Sequence, residues 1–135
     1  MNKLNLSFIS VIFLALTLPG CGMQSIPTAL NEVEAAWSEV LNQYKRRSDL
    51  IPNLVTIVKG YASHEKETLQ AVVEARAKAT QTNIAPNQLT PKSMSQFSQA
   101  QAGLGSALSR LMVVVERYPD LKANQNFRDL QVQLE

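Results

Sequence analysis

The stretch from Tyr44 to Ala79, YKRRSDLIPNLVTIVKGYASHEKETLQAVVEARAKA, sets the terms on which this chain can fold. Its apolar residues Ile51, Leu54, Val55, Val58, Tyr61, Ala62, Leu69, Val72, Val73 and Ala79 follow the period of one face of an α-helix. Inside that pattern stands Pro52, beside the densest basic cluster of the chain and its single histidine. A helix interior rejects proline, which removes one hydrogen bond and presses its ring on the preceding turn, at about 3 kcal/mol. In a first turn the same residue is tolerated, because those N–H groups have no partner in any helix. Asp49 is a suitable N-cap for such a restart, so the spacing predicts a kink or break near 48–52.

The helical period extends to both sides. Leu30, Val33, Trp37, Val40 or Leu41, and Tyr44 mark one face of a first segment, with Glu32, Glu34 and Glu39 on its other side. After Pro52 the pattern predicts a helix running to about Thr80, weakened locally at Gly60, with His64 to Glu67 on its wet face. Gln81 to Leu89 has no period and reads as a loop. Thr90-Pro91 then supplies an N-cap and a proline at the first helical position.

The seam Met94, Phe97, Gln101, Leu104, Leu108, Leu111, Val115 and Tyr118 is coiled-coil-like and suits near-antiparallel packing on the preceding long helix. Gln101 interrupts it, either to fix register or at a partly exposed position. Gly103 and Gly105 lower helix propensity, for which a close helix–helix approach is the expected compensation. Pro119 ends this helix, and Asp120 or Asn124 can cap another, whose face opens with Phe127, Leu130 and Leu134. That last face stops in mid-pattern at Glu135, as a truncated helix would. The fold class expected is all-α, an elongated antiparallel bundle of long helices.

Composition narrows the function. Thirteen basic against eleven acidic side chains leave a net charge of +2, which makes no electrostatic case for nucleic acid. Hydrophobic residues are 45% of 135, and charged ones 18%, a globular balance that supports one domain over residues 29–135. Cys21 is the only cysteine, so no internal disulfide can form, and its position carries the interest.

Met1-Asn2-Lys3 is a weakly basic start, and Leu4 to Leu18 is apolar but shorter than the roughly 20 residues that cross a bilayer. Leu18-Pro19-Gly20-Cys21 closes the run and resembles a bacterial lipobox. Residues 1–20 then form a lipoprotein-type signal peptide, Cys21 carries the lipid, and 21–28 is a tether. An uncleaved, short membrane anchor with an incidental cysteine is the other reading. Both place the domain outside the cytoplasm, on a membrane.

The blocks CGMQSIP, AAWSEVLNQYKRRSDLIPNLVTIVKGYASHEKETL, VVEARAKA and LSRLMVVVERYPDLKANQNFRDLQVQLE resemble the LemA family of bacterial envelope proteins. The resemblance implies an N-terminal membrane anchor, an extracytoplasmic bundle of long antiparallel helices, and a last helix that continues past the equivalent of Glu135. It implies no catalytic residues.

Individual side chains are consistent with that. His64-Glu65 lacks the second histidine one turn on, where Thr68 stands, so no metal site, cofactor or catalytic set is expected. Lys45, Arg46, Arg47, Asp49 and Asn53 are the candidate partner-contact cluster, against the plainer reading of a solvated helix end whose charges pair with Asp49, Glu116 or Asp120. Trp37 and Tyr44 read as core. The function expected is a non-enzymatic scaffold or adaptor of the envelope, attached to the membrane through Cys21 or an N-terminal anchor and meeting an envelope protein partner or a second copy of itself. If the host has an outer membrane, Gly22 after the cysteine would send it there. A lipid-interacting or membrane-remodelling bundle is the alternative, and an envelope hydrolase comes third.

Overall fold

The computed structural model describes residues 25–134, so the leader over residues 1–20 and the lipidation position Cys21 lie outside the described residues. Five α-helices carry nearly all of it: α1 Ser25–Tyr61, α2 Lys66–Gln81, α3 Pro91–Val115, α4 Pro119–Ala123 and α5 Gln125–Leu134. A 3-10 turn at Pro86–Gln88 lies between α2 and α3. The chain divides into two compact units at Ala35 and Ala36. In the first, α1 begins at Ser25, so the last residues of the expected tether are helical; Pro27 stands in the first turn, where no N–H is required. Leu30 and Val33 are exposed there.

The second unit is an all-α helical bundle. Its order follows from which residues meet. Arg76 on α2 reaches Ser48 on α1, two residues equally far in sequence from Ala62, so α2 runs back along α1. Phe97 meets Trp37 and Tyr44, while Arg117 and Tyr118 meet Glu65, so α3 runs in the direction of α1. Pro119 and Asn124 start α4 and α5 as the chain turns round again. Asn124 Oδ1 accepts the Phe127 N–H at 3.0 Å, the capping role expected for one of the two residues proposed. Thr90 caps α3 with a reciprocal Ser93 bond, and Pro91 opens the helix as predicted.

Of the kink or break expected at 48–52, a break does not occur, because α1 runs without interruption through Pro52 to Tyr61. The predicted helix from Pro52 to Thr80 does break, at a turn from Ala62 to Glu65 closed by Ala62 N–H to Val58 C=O and Glu65 N–H to Ala62 C=O, 2.8 and 3.1 Å. The run Ser63 to Thr68 has no apolar residue for more than a helical turn, so a continuous helix would bury nothing there. Ala62 is fully buried and anchors the turn, and His64 lies exposed in it rather than on a helix.

The interior has two parts. The main cluster takes side chains from every helix and from the first turn: Ile51, Leu54, Val58, Ala62, Leu69, Val72, Leu104, Leu108, Leu111, Leu121, Phe127 and Leu134 among them. A smaller cluster of Trp37, Ile84 and Phe97, flanked by Leu41, Tyr44 and Leu89, draws only on α1, the α2–α3 connection and α3. Trp37 is core, as expected, and its Nε1–H donates to the Ile84 carbonyl at 2.9 Å, pinning the connection. Phe97 presents an edge-on ring pair to both Trp37 and Tyr44, at centroid distances of 5.3 and 5.0 Å.

Candidate functional site

Pro52 is accommodated in mid-helix by a side chain from α2. Because Pro52 has no N–H, the Ser48 carbonyl lacks its donor one turn on in α1. The Arg76 Nε–H fills that place, donating to the Ser48 carbonyl at 2.8 Å. A charged donor to a half-buried carbonyl replaces the missing bond with a stronger one. The Pro52 carbonyl in turn accepts from Thr56 Oγ1 at 2.9 Å. The kink or break expected from the sequence is answered by a contact between residues twenty-eight positions apart.

Arg76 was not among the expected site residues, yet its sequence position held the signal. Leu69, Val72, Arg76 and Ala79 share one face of α2, so a cation stands where the seam calls for an apolar residue. Ser48 interrupts the α1 seam between Tyr44 and Ile51, and Gln101 the α3 seam between Phe97 and Leu104. All three helices thus place a polar residue on an apolar seam, and Ser48 and Gln101 border the same cavity. This polar layer separates the two apolar clusters along α1, which contribute Trp37 to Tyr44 on one side and Ile51 onward on the other.

Two cavities meet at that layer, with Tyr44, Phe97 and Gln101 forming the wall between them. One, of about 430 Å³, opens between α1 and the end of α2 and is bordered by Lys45, Ser48, Asp49 and Asn83. The other, of about 520 Å³, is a groove between α1 and α3 bordered by Val40, Arg47, Met94, Ala102 and Gly105. Ser48 is only 4% exposed and its Oγ has no hydrogen-bond partner. The Arg47 Nε is likewise buried and unpartnered.

The expected contact cluster is therefore divided. Lys45 and Asp49 lie exposed at the mouth of the first cavity, half-buried Arg47 faces the second, and Arg46 and Asn53 are exposed on α1. None of the three cations forms an ion pair with Asp49, Glu116 or Asp120. Glu116 instead holds Lys122 at 2.6 Å, across the turn that follows α3. Glu65 accepts from Arg117 at 2.9 Å and from the Tyr118 hydroxyl at 3.1 Å, closing the opposite end of the bundle. Partial burial, then the Glu65 carboxylate, raise the Tyr118 phenol above its ordinary value.

The glycines of α3 are also corrected. Among the described residues, a Cβ at Gly103 or Gly105 would meet no atom within 4 Å, so neither stands at a close approach to another described helix. Each still lowers α3 stability by about 1 kcal/mol relative to alanine.

What this arrangement can do chemically is hold hydrogen-bonding and anionic groups against an apolar wall. Among the described residues, no three His, Cys, Asp or Glu side chains lie close enough to hold a metal ion, and no helix is long and apolar enough to cross a membrane. No curated protein matches the chain. The family model described as LemA family does match it, over residues 36–135, which span the whole second unit. This all-α chain, with its proline-bearing first helix and helical bundle, belongs to the LemA family.

Proposed function

We propose that the chain is a membrane-tethered, extracytoplasmic adaptor of the bacterial cell envelope that binds another protein and carries out no reaction of its own. The observation that supports this most is the groove between α1 and α3. Val40 and Met94 are 38% and 41% exposed on its border, next to the buried rings of Trp37 and Phe97. An open apolar border continuous with a core is what protein docking uses, since covering it removes apolar surface from water.

The polar side chains of the bundle support the same reading through the work they do. Arg76 completes α1 at Pro52, and Glu65 ties Arg117 and Tyr118. Lys45, Arg46, Asp49 and Asn53 remain exposed around the docking end, where they can steer and orient a partner. Attachment through Cys21 would confine the search for that partner to the membrane surface.

Photo-crosslinking in living cells tests the proposal. A photoreactive residue at Val40, Arg46 or Asp49 should capture one envelope protein that the same residue at Lys78, on α2, does not. Equal capture from Lys78, or products containing only lipid, would overturn it.

A further inference from the structure

The cavity between α1 and the end of α2 joins two charges of opposite sign to an apolar wall. Lys45 and Asp49 stand one helical turn apart on α1, and both border it. Ala79, Thr80 and Asn83 face them from the other side, Phe97 and Gln101 of α3 close the back, and the Arg76–Ser48 bond holds α1 and α2 together beside it. We propose that this cavity binds a free α-amino acid with an apolar side chain, its carboxylate on Lys45 and its ammonium on Asp49. A small-molecule site of this kind goes beyond the adaptor reading and does not depend on it.

Both charged heads are available to a ligand. Among the described residues neither Lys45 nor Asp49 has an ion pair or a side-chain hydrogen bond, although four positions along a helix is the spacing at which such pairs form. A lysine placed before its acid runs against the helix dipole and makes the weaker pair. Each residue is also exposed, within reach of a molecule that enters the cavity.

Charge then selects the ligand. A lone anion at Lys45 would meet the Asp49 carboxylate, and a lone amine at Asp49 would meet the Lys45 ammonium. A molecule that carries both groups answers both. The two positions are about 6 Å apart along the axis, a span that an ammonium and a carboxylate on one carbon bridge with a hydrogen bond to each side. The end of α2 favours the same ligand, because its last carbonyls form the negative end of a helix dipole and attract an ammonium. Thr80 and Thr82 turn their hydroxyls back onto α2 carbonyls, at 3.0 and 2.9 Å, so Lys45 is left to hold the carboxylate.

The wall selects the side chain. Leu41, Tyr44, Ala79 and Phe97 line the cavity, with Tyr44 edge-on to Phe97 at 5.0 Å. Its volume of about 430 Å³ is near the lower end of ligand cavities, which run from about 300 to 1,000 Å³, and suits a molecule of amino-acid size. An apolar side chain seated there leaves water for that wall.

Saturation-transfer NMR on the full chain in nanodiscs of zwitterionic lipid, with empty nanodiscs as the blank, would follow the ring protons of L-phenylalanine, its amide and its N-acetyl derivative. Saturable binding of L-phenylalanine is expected. The amide lacks the carboxylate and should bind about fivefold more weakly, the upper end of what a water-facing ion pair supplies. The N-acetyl form should be about tenfold weaker, since Asp49 and the end of α2 both favour the ammonium it lacks. Lys45→Gln should make the free and amide forms equal, and Asp49→Asn should reduce the N-acetyl penalty to about twofold. Both side chains are exposed, so neither change should lower the melting temperature.

No saturable binding, equal binding of all three compounds, or differences that persist in both variants would overturn the proposal. An amide as tight as the free amino acid would also overturn it, assigning the cavity to the N-terminal residue of a peptide. An N-acetyl form as tight would do the same in favour of a C-terminal residue.

Discussion

The two apolar clusters of the bundle share α1 and α3 and differ in how they are enclosed. Around Leu111, five helices and a turn surround side chains that are fully buried. Around Trp37 and Phe97 there are two helices and a connection held by one indole hydrogen bond, and large apolar residues remain at the border. Burial at the first end secures the fold, while the second end leaves Val40 and Met94 exposed. Ser48 stands between them along α1, with Arg76 and Gln101 interrupting the seams of α2 and α3.

The largest effect should come from the closed end. Leu111→Ala is expected to cost about 3–5 kcal/mol in urea unfolding, since a wholly buried leucine leaves a cavity its neighbours cannot fill. A loss under 1 kcal/mol would erase the distinction between the two ends.

The layer between them comes next. Arg76→Ala should destabilise by about 2–3 kcal/mol, because it leaves the Ser48 carbonyl without a donor. In a Pro52→Ala background α1 regains its own N–H, and the same change should then cost about 1 kcal/mol less. Additive losses in that double-mutant cycle would mean that Arg76 serves something other than the proline.

At the open end, Trp37→Phe keeps most of the ring packing and removes the donor to Ile84. A loss of about 1–2 kcal/mol is expected, with faster amide exchange confined to residues 82–90. Exchange that rose equally around Leu111 would show the two clusters to be one cooperative unit. Ser48→Ala should be near neutral or stabilising by up to about 1 kcal/mol, since it deletes a buried hydroxyl that has no partner. A marked loss would mean that the hydroxyl is bonded in solution.

The smallest effect is a titration at the far turn. The fold raises the Tyr118 phenol above its ordinary value of 10.0, so it favours the protonated form. That contribution is complete below pH 10 and is lost as pH rises through the folded value. The melting temperature should fall more slowly above pH 10 in Tyr118→Phe than in the parent chain, and parallel curves would remove Tyr118 from the closure of that turn.

Much of this was legible in the residues. Apolar period marked all the long helices, and Thr90-Pro91 and Asn124 announced their own caps, because both signals depend on neighbours a few positions apart. The candidate cluster at Lys45 to Asn53 falls at the polar layer and its two cavities, although its members divide between different faces. Arg76 went unrecognised because its partner is the backbone of another helix, and a cation on an apolar seam shows its purpose only when that carbonyl is in view.

The sequence by itself therefore determined the all-α class, the α2–α3 connection, the start of α3 and the burial of Trp37, all of which follow from local spacing and side-chain chemistry. Tertiary structure decided whether α1 survives Pro52, where the chain first reverses, and which glycines lie open. Each of those turns on how elements meet: one guanidinium offsets a lost helical bond, a polar run with nothing to bury yields to a turn, and Gly103 and Gly105 fall on a face with no described atom near their Cα.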